Sequence, residues 1–130
     1  MIISELRVYD FRQFKSVDDA PGLKITFHKG LNALIGENDS GKTAVIDALK
    51  LVLLTQSNEY IRPSDEDFYK PVGEDACSEF KIDCTISDFT QNEAKNFIEY
   101  LSFNQTENGI EYTLELHYRA WKEGHKIYQE

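Results

Sequence analysis

The sequence predicts an α/β fold from three observations: strand-like alternation in both halves of the chain, one apolar helix, and a glycine-bounded loop that leads into this helix. Apolar and polar residues alternate over residues 2–11 and again over residues 80–86, as in half-buried strands. Residues 42–54 are apolar on nearly all sides, which is typical of a buried helix. We therefore expect a mostly antiparallel N-terminal sheet, a strand that enters the loop, the buried helix, and then a β-α-β-β segment.

The first half of the chain contains the strand that enters the loop. A Pro-Gly break at residues 20–22 precedes a short strand over residues 23–28. Residues 31–35 form a compact apolar run that ends directly at Gly36, as a buried strand would. In the helix that follows, only Asp47 and Lys50 interrupt the apolar residues.

The second half begins after a linker, residues 55–73, that contains prolines, a glycine and acidic residues. A strand is predicted over residues 80–86, where the alternation is strict. Thr90 and Glu93 form a capping box, which predicts a helix from there to about Leu101.

A β-hairpin is predicted at the C-terminal end. Residues 110–120 alternate as one strand, and the turn at 123–124 brings the chain back. The aromatic residues Tyr112, Tyr118 and Trp121 could stack on nucleic-acid bases. Their alternation favours a place in the hairpin core or on a partner face.

Length and charge restrict the class of protein. The 130 residues suggest one domain, and the net charge is −9, from 14 basic and 23 acidic residues. An acidic surface gains nothing from counterion release on DNA, so we do not expect this segment to grip a duplex by itself. No apolar run approaches the roughly 20 residues that span a bilayer, and the start lacks a secretion signal, so we expect a cytoplasmic chain without membrane contact.

The cysteines and histidines give no metal-ligand pattern. Cys77 and Cys84 are too far apart for a Cys-x-x-Cys pair, and we expect free thiols on or near one strand. The three histidines are scattered, which argues against a metal site made of protein side chains alone.

The main chemical signal is Gly-Glu-Asn-Asp-Ser-Gly-Lys-Thr at residues 36–43, which fits G-x-x-x-x-G-K-[ST] at every fixed position. In this pattern, successive backbone N–H groups wrap a phosphate, and the following helix presents its positive end. We expect Lys42 to act as the catalytic charge on the β- and γ-phosphates of ATP and the Thr43 hydroxyl to bind Mg²⁺. No further site residue is expected directly after Thr43. The predicted nucleotide-binding residues are Gly36, Asn38, Asp39, Ser40, Gly41, Lys42 and Thr43.

Two of these predictions concern how the loop is used. Asn38 and Ser40 are expected to contact phosphates through their backbone N–H groups. An acid at Asp39 should repel phosphates, so we expect its carboxylate to turn away, while aspartate still tolerates a left-handed backbone.

The chain resembles the start of ABC-type ATPases of the SMC and RecF kind in Asp-Phe-Arg-Gln-Phe at residues 10–14, in the strand that enters Gly36, and in Asp-Ala-Leu at residues 47–49. The loop string with Asp39, and the acidic-aromatic stretch 65–68, are most similar to the OLD (overcoming lysogenisation defect) family of ATP-dependent endonucleases. The resemblance is specific over about residues 1–70 and only architectural afterwards.

This resemblance implies the P-loop lobe of a DNA-processing ATPase that assembles as a homo-oligomer and contacts DNA through parts outside residues 1–130. It also implies that Arg12 lies near the nucleotide and approaches a phosphate, with an aromatic of the 11–14 region near adenine; the alternative is a surface arginine between two core phenylalanines. Such families use a Walker B acid, a signature motif and, in OLD proteins, a Toprim nuclease domain. None of these patterns is in the sequence, so we expect a piece of a longer protein that binds ATP without turning it over.

Other functions remain open from the sequence. An SMC- or RecF-like repair ATPase would lack the nuclease. A small kinase or GTPase would need an arginine-rich lid or an Asn-Lys-x-Asp motif, and neither is present. The segment could also be a partner-binding module with an empty P-loop. The acidic run 65–67 could bind a cation, although such loops are usually only solvated.

Self-association is a further expectation. In the family heads, later strands cover the buried helix, so we expect Val45, Leu49, Val52 and Leu53 to be partly uncovered in this chain.

Overall fold

The computed structural model describes residues 1–30, 41–54, 62–107 and 109–130. Within these ranges the chain forms six β-strands, two α-helices and one 3₁₀-helix. They are β1 (Ile2–Tyr9), β2 (Leu23–Thr26), α1 (Lys42–Leu54), the 3₁₀-helix (Asp65–Asp67), β3 (Glu79–Ser87), α2 (Gln91–Asn96), β4 (Ser102–Thr106), β5 (Gly109–Glu123) and β6 (Lys126–Gln129).

The six strands form one sheet in the order β2-β1-β3-β5-β4, and β6 pairs with the C-terminal part of β5. Every pairing among these strands is antiparallel. The α/β class with a mostly antiparallel sheet is therefore confirmed.

One face of the sheet is apolar because residues paired across neighbouring strands point to the same side. Leu6 pairs with Cys84 and Val8 with Ile82 across β1 and β3, and Ile82 in turn pairs with Tyr118 of β5. All five side chains are at most 2% exposed. This face forms the core of the domain.

The opposite face of the same strands is polar. Arg7 of β1 donates to Thr85 at 3.1 Å and to Glu115 at 2.8 Å, and Thr85 donates to Glu115 at 2.6 Å. His117 Nδ1 lies 2.8 Å from the Asp83 carboxylate. A face of this composition has no need of a covering layer.

Helix α1 packs on the apolar face, against β3 and β5. Five of its side chains are buried: Ala44, Val45, Ala48, Leu51 and Val52. The expectation that Val45 and Val52 would be uncovered is wrong, because the strands of the second half already cover them. Leu49 is half-buried, and Leu53 is exposed as expected, together with Ile46.

The predicted bounds hold for α1. The C-terminal hairpin is present, but its first strand runs over Gly109–Glu123 instead of residues 110–120, and the predicted end of α2 is wrong. The Thr90 hydroxyl accepts from the Glu93 N–H at 3.2 Å, so the predicted capping box is present. The helix nevertheless ends at Asn96, with Phe97 as its C-cap, instead of near Leu101. Phe97 packs on Phe89, with ring centroids 6.1 Å apart. Leu101 is buried directly before β4 begins, so the chain leaves the helix here and enters the strand.

No helix among the described residues is both long and apolar enough to cross a membrane.

The aromatic residues of β5 make contacts within the hairpins, as predicted. Tyr118 is buried and donates to Gln129 at 2.8 Å. Trp121 stacks on Tyr128, and Tyr112 packs on Phe103.

Both cysteines are free thiols, as predicted, and they differ in accessibility. Cys84 is fully buried, and burial raises the pKa of its thiol from 9.0 to about 11. Iodoacetamide at neutral pH is therefore expected to modify Cys77 of the native protein and to reach Cys84 only after unfolding. Peptide mass spectrometry gives the two rates, with Cys77→Ser as the control that leaves only the slow site.

The raised pKa of Cys84 also makes the stability of the fold depend on pH. Because the folded state holds the thiol proton more tightly than the unfolded state, the contribution to the free energy of unfolding is fully present below pH 9.0. It is lost as the pH rises toward 11. Equal labelling rates at Cys77 and Cys84 in the native protein would contradict the burial of Cys84 and its raised pKa.

Candidate nucleotide-binding site

The predicted phosphate loop is only partly within the described residues. Gly36, Asn38, Asp39 and Ser40 lie outside them, as does the strand predicted over residues 31–35. The last three residues of the motif, Gly41, Lys42 and Thr43, are described and form the entry into α1.

Gly41 has a backbone that only glycine adopts without strain. Its φ is +94°, it is buried, and its carbonyl accepts the Val45 N–H at 3.0 Å, which closes the first turn of α1. A Cβ at this position would lie 2.7 Å from Phe14 Cζ and 3.1 Å from Gln13 Nε2. The turn after β1 therefore packs directly against the start of the helix.

The first turn of α1 suits an anion and a metal ion. Its backbone N–H groups carry the positive end of the helix dipole, and no acidic residue lies in this turn. Lys42 is half-buried at the first helical position, and Thr43, next to it, is exposed. A phosphate with its Mg²⁺ thus fits the donors present: helix N–H groups, an ammonium and a hydroxyl.

Residues 11–14 form a tight turn. Phe11 and Phe14 exchange backbone hydrogen bonds of 3.2 and 2.9 Å, which leaves Arg12 and Gln13 as its two central residues. Arg12 has a φ of +51°, at the first central position, where glycine is usual. A left-handed backbone costs a non-glycine residue about 1–2 kcal/mol, so other contacts must hold Arg12 there.

Those contacts are two carboxylates. Arg12 Nη2 lies 2.8 Å from Asp47 Oδ2 on α1, and Arg12 Nε donates to Asp67 Oδ1 at 2.9 Å. The Arg12 backbone N–H also donates to the Asp67 carbonyl at 2.8 Å. Burial lowers the pKa of Arg12, but hydrogen bonds to Asp67 and Asp47 outweigh it and raise this pKa above its ordinary value.

Asp67 is the buried member of this cluster, only 5% exposed. Its second oxygen, Oδ2, accepts the Ser64 N–H at 2.9 Å. The neighbouring Phe68 forms a bridge to Phe11 and packs edge-on against Phe80 at 5.0 Å. The segment 64–68 is thereby fixed both to the core and to Arg12.

The structure places Arg12 against Asp47 of the helix that carries Lys42, and its position near the nucleotide and its contact with a phosphate stay predictions. Phe11 is fully buried, whereas Phe14 retains exposed surface beside Gly41. Sequence reasoning missed the roles of Asp47 and Asp67, because no spacing rule connects residues this far apart to Arg12.

The acidic run 65–67 does not act as one unit. Asp65 is exposed and lies 3.1 Å from Lys122 Nζ, Glu66 is exposed, and Asp67 is occupied by Arg12. Among the described residues, no group of three or more histidine, cysteine or acidic side chains is arranged to hold a metal ion.

A helix that begins at the last residues of a G-x-x-x-x-G-K-[ST] motif and covers an antiparallel sheet is consistent with the fold of an ABC-type P-loop ATPase lobe. Comparison with known proteins gives the family. Residues 1–129 match the AAA ATPase domain, and the chain belongs to this family.

Relatives and a solved structure agree with this assignment. The chain is 36% identical over 58 residues, 45% of its length, to the DNA replication and repair protein RecF of Streptococcus suis (strain 05ZYH33). It is 32% identical over 73 residues, 56% of its length, to the DNA double-strand break repair Rad50 ATPase of Pyrococcus abyssi. A solved structure from work on ATP-driven dimerization and DNA-stimulated activation of SMC ATPases superposes on 98% of the chain, with a TM-score of 0.57 and 19% identity.

The match covers a small part of the two relatives and about two thirds of the solved chain. It spans 14% of the RecF chain, 8% of the Rad50 chain and 69% of the solved chain. At 19% identity, the similarity to the solved structure shows a shared fold.

We expect Gly41→Ala to destabilise the protein by about 1–3 kcal/mol, because alanine would be strained at this φ and would also collide with Phe14. Gly73→Ala is the matched control: its φ is +76°, and a Cβ there meets nothing within 4 Å. Both variants carry the strain of a positive φ, so the difference between their free energies of unfolding in urea gives the cost of the collision with Phe14 alone. An equal loss of stability in the two variants would mean that the Phe14 ring does not restrain the start of α1.

Proposed function

We propose that residues 36–43 bind the phosphates of ATP together with Mg²⁺. In this proposal the backbone of the loop, including Gly36, Asn38, Asp39, Ser40 and Gly41, surrounds the phosphates. Lys42 supplies a positive charge to the β- and γ-phosphates, and the Thr43 hydroxyl is a ligand of Mg²⁺. The bound metal would neutralise phosphate charge.

The observation that supports this most directly is the local geometry at Gly41. A glycine with positive φ immediately precedes a 13-residue helix whose first turn holds a lysine and an exposed threonine and no acid. This is the arrangement that the phosphate-loop mechanism requires. Membership of the AAA ATPase domain family supports the same ligand.

For the wider role, we propose that residues 1–130 are the ATP-binding part of a longer, DNA-processing ATPase of the OLD kind. The loop string with Asp39 and the stretch 65–68 support this choice. The alternative is a RecF- or SMC-like repair ATPase without nuclease chemistry, which the RecF and Rad50 relatives favour. Toprim acids in the longer reading frame would support the first, and a coiled coil the second. Either kind would act as a homo-oligomer in the cytoplasm, with DNA contacts outside these residues.

The first test is ligand binding. Mg-ATP at 100 times its dissociation constant should stabilise the wild-type fold by about 2.7 kcal/mol, seen as a rise in melting temperature. Lys42→Ala should abolish this rise, because the phosphates lose their charged partner. Lys50→Ala, an exposed position of the same helix, is the control and should keep it. An unchanged melting curve of wild type with Mg-ATP would instead favour a partner-binding module.

The second test is turnover. Hydrolysis needs a group that positions water and a charge opposite the P-loop, and removing such a group typically costs about 10²-fold or more. The sequence carries no Walker B acid or signature motif, so phosphate release by this chain should stay at the level of Lys42→Ala. Sustained release over many turnovers, well above that variant, would show a complete active site.

A further inference from the structure

We propose that Asp67 is a positioning residue for nucleotide binding, which acts through Arg12 on the start of α1. The inference rests on the proposed ATP site and adds to it a carboxylate from the linker after α1. It gives one residue of the acidic-aromatic stretch 65–68 a specific task.

The first step is the connection from Asp67 to Arg12. Asp67 contacts this residue twice, through the side-chain bond to Nε and through its carbonyl, which accepts the Arg12 N–H. The backbone of Arg12 is strained, and Asp67 is the more buried of its two carboxylate partners. Asp67 is therefore the main support of the turn 11–14.

The second step is the connection from this turn to the phosphate site. Arg12 Nη2 binds Asp47 on α1, and the Phe14 and Gln13 side chains lie against Gly41. A displacement of the turn would loosen the residue that sets the entry into the helix. Binding sites lose affinity when the groups that hold them in place are free to move.

Asparagine is the sharpest substitution at this position. The carboxylate accepts from Arg12 Nε at one oxygen and from the Ser64 N–H at the other. An amide has only one acceptor oxygen, so Asp67→Asn keeps the size of the side chain but must leave one of these donors facing an NH₂ group.

The test measures the dissociation constant of Mg-ATP by calorimetry for the 130-residue chain. We expect Asp67→Asn to weaken binding about tenfold or more, since hydrogen bonds to charged groups are of this strength. Asp67→Glu, which keeps the charge, should lose less. Asp65→Asn is the control with unchanged affinity, because the Asp65 side chain is exposed and its carboxylate faces Lys122 and not Arg12.

A double-mutant cycle separates positioning from a general structural role. If Asp67 acts through Arg12, Arg12→Gln/Asp67→Asn should bind Mg-ATP as weakly as Arg12→Gln alone. Fully additive losses would overturn the inference. So would unchanged affinity of Asp67→Asn, or tighter binding, which would mean that Asp67 restrains Arg12 from the phosphates.

Two further outcomes remain distinct. If wild type does not bind Mg-ATP, the proposed function itself fails. If Asp67→Asn does not fold, Asp67→Glu is compared with Asp65→Asn instead. For both variants we would measure the dissociation constant of Mg-ATP and, without nucleotide, the melting temperature. A loss of affinity in Asp67→Glu without a matching loss of stability supports positioning, and unchanged affinity overturns it.

Discussion

The burial of one side of α1 against the apolar face of the sheet is the constraint on which the described structure depends. β1, β3 and β5 present their apolar side chains to the same side, and α1 packs on this face against β3 and β5, with Ala48 at the centre of its buried stripe. Each fully buried large apolar side chain contributes about 1.5–3 kcal/mol. The helix cannot rotate without exposing this stripe, so the direction of its first turn, and with it Gly41 and Lys42, is fixed by the core.

Hydrophobic periodicity accounts for most of what could be predicted about the fold. The bounds of α1 and the hairpin of β5 and β6 follow from apolar spacing and turn residues alone. β4 was missed because Ser-Phe-Asn-Gln-Thr has no alternation: it lies at the edge of the sheet and four of its five residues are exposed. The end of α2 was misplaced because Phe97 leaves the helix to pack on Phe89, a tertiary contact that helix propensity does not report.

The candidate site was predictable where chemistry imposes a short pattern. The motif at residues 36–43 needs glycines, a lysine and a hydroxyl at fixed spacing, and the structure places its last three residues at the start of α1 as expected. The ion pairs of Arg12 were not predictable. Asp47 and Asp67 lie far from Arg12 in sequence, and only the folded chain shows which of the 23 acidic residues meet it.

The pairing of β1 with β3 also has a consequence for how the chain folds during synthesis. Residues 2–9 join residues 79–87, and β5 follows still later, so α1 leaves the ribosome before the strands that cover it exist. Closing such long loops is slow, and a nascent chain in this state exposes apolar surface. The rate at which the C-terminal half is translated therefore sets how long the helix is exposed to chaperones and to aggregation.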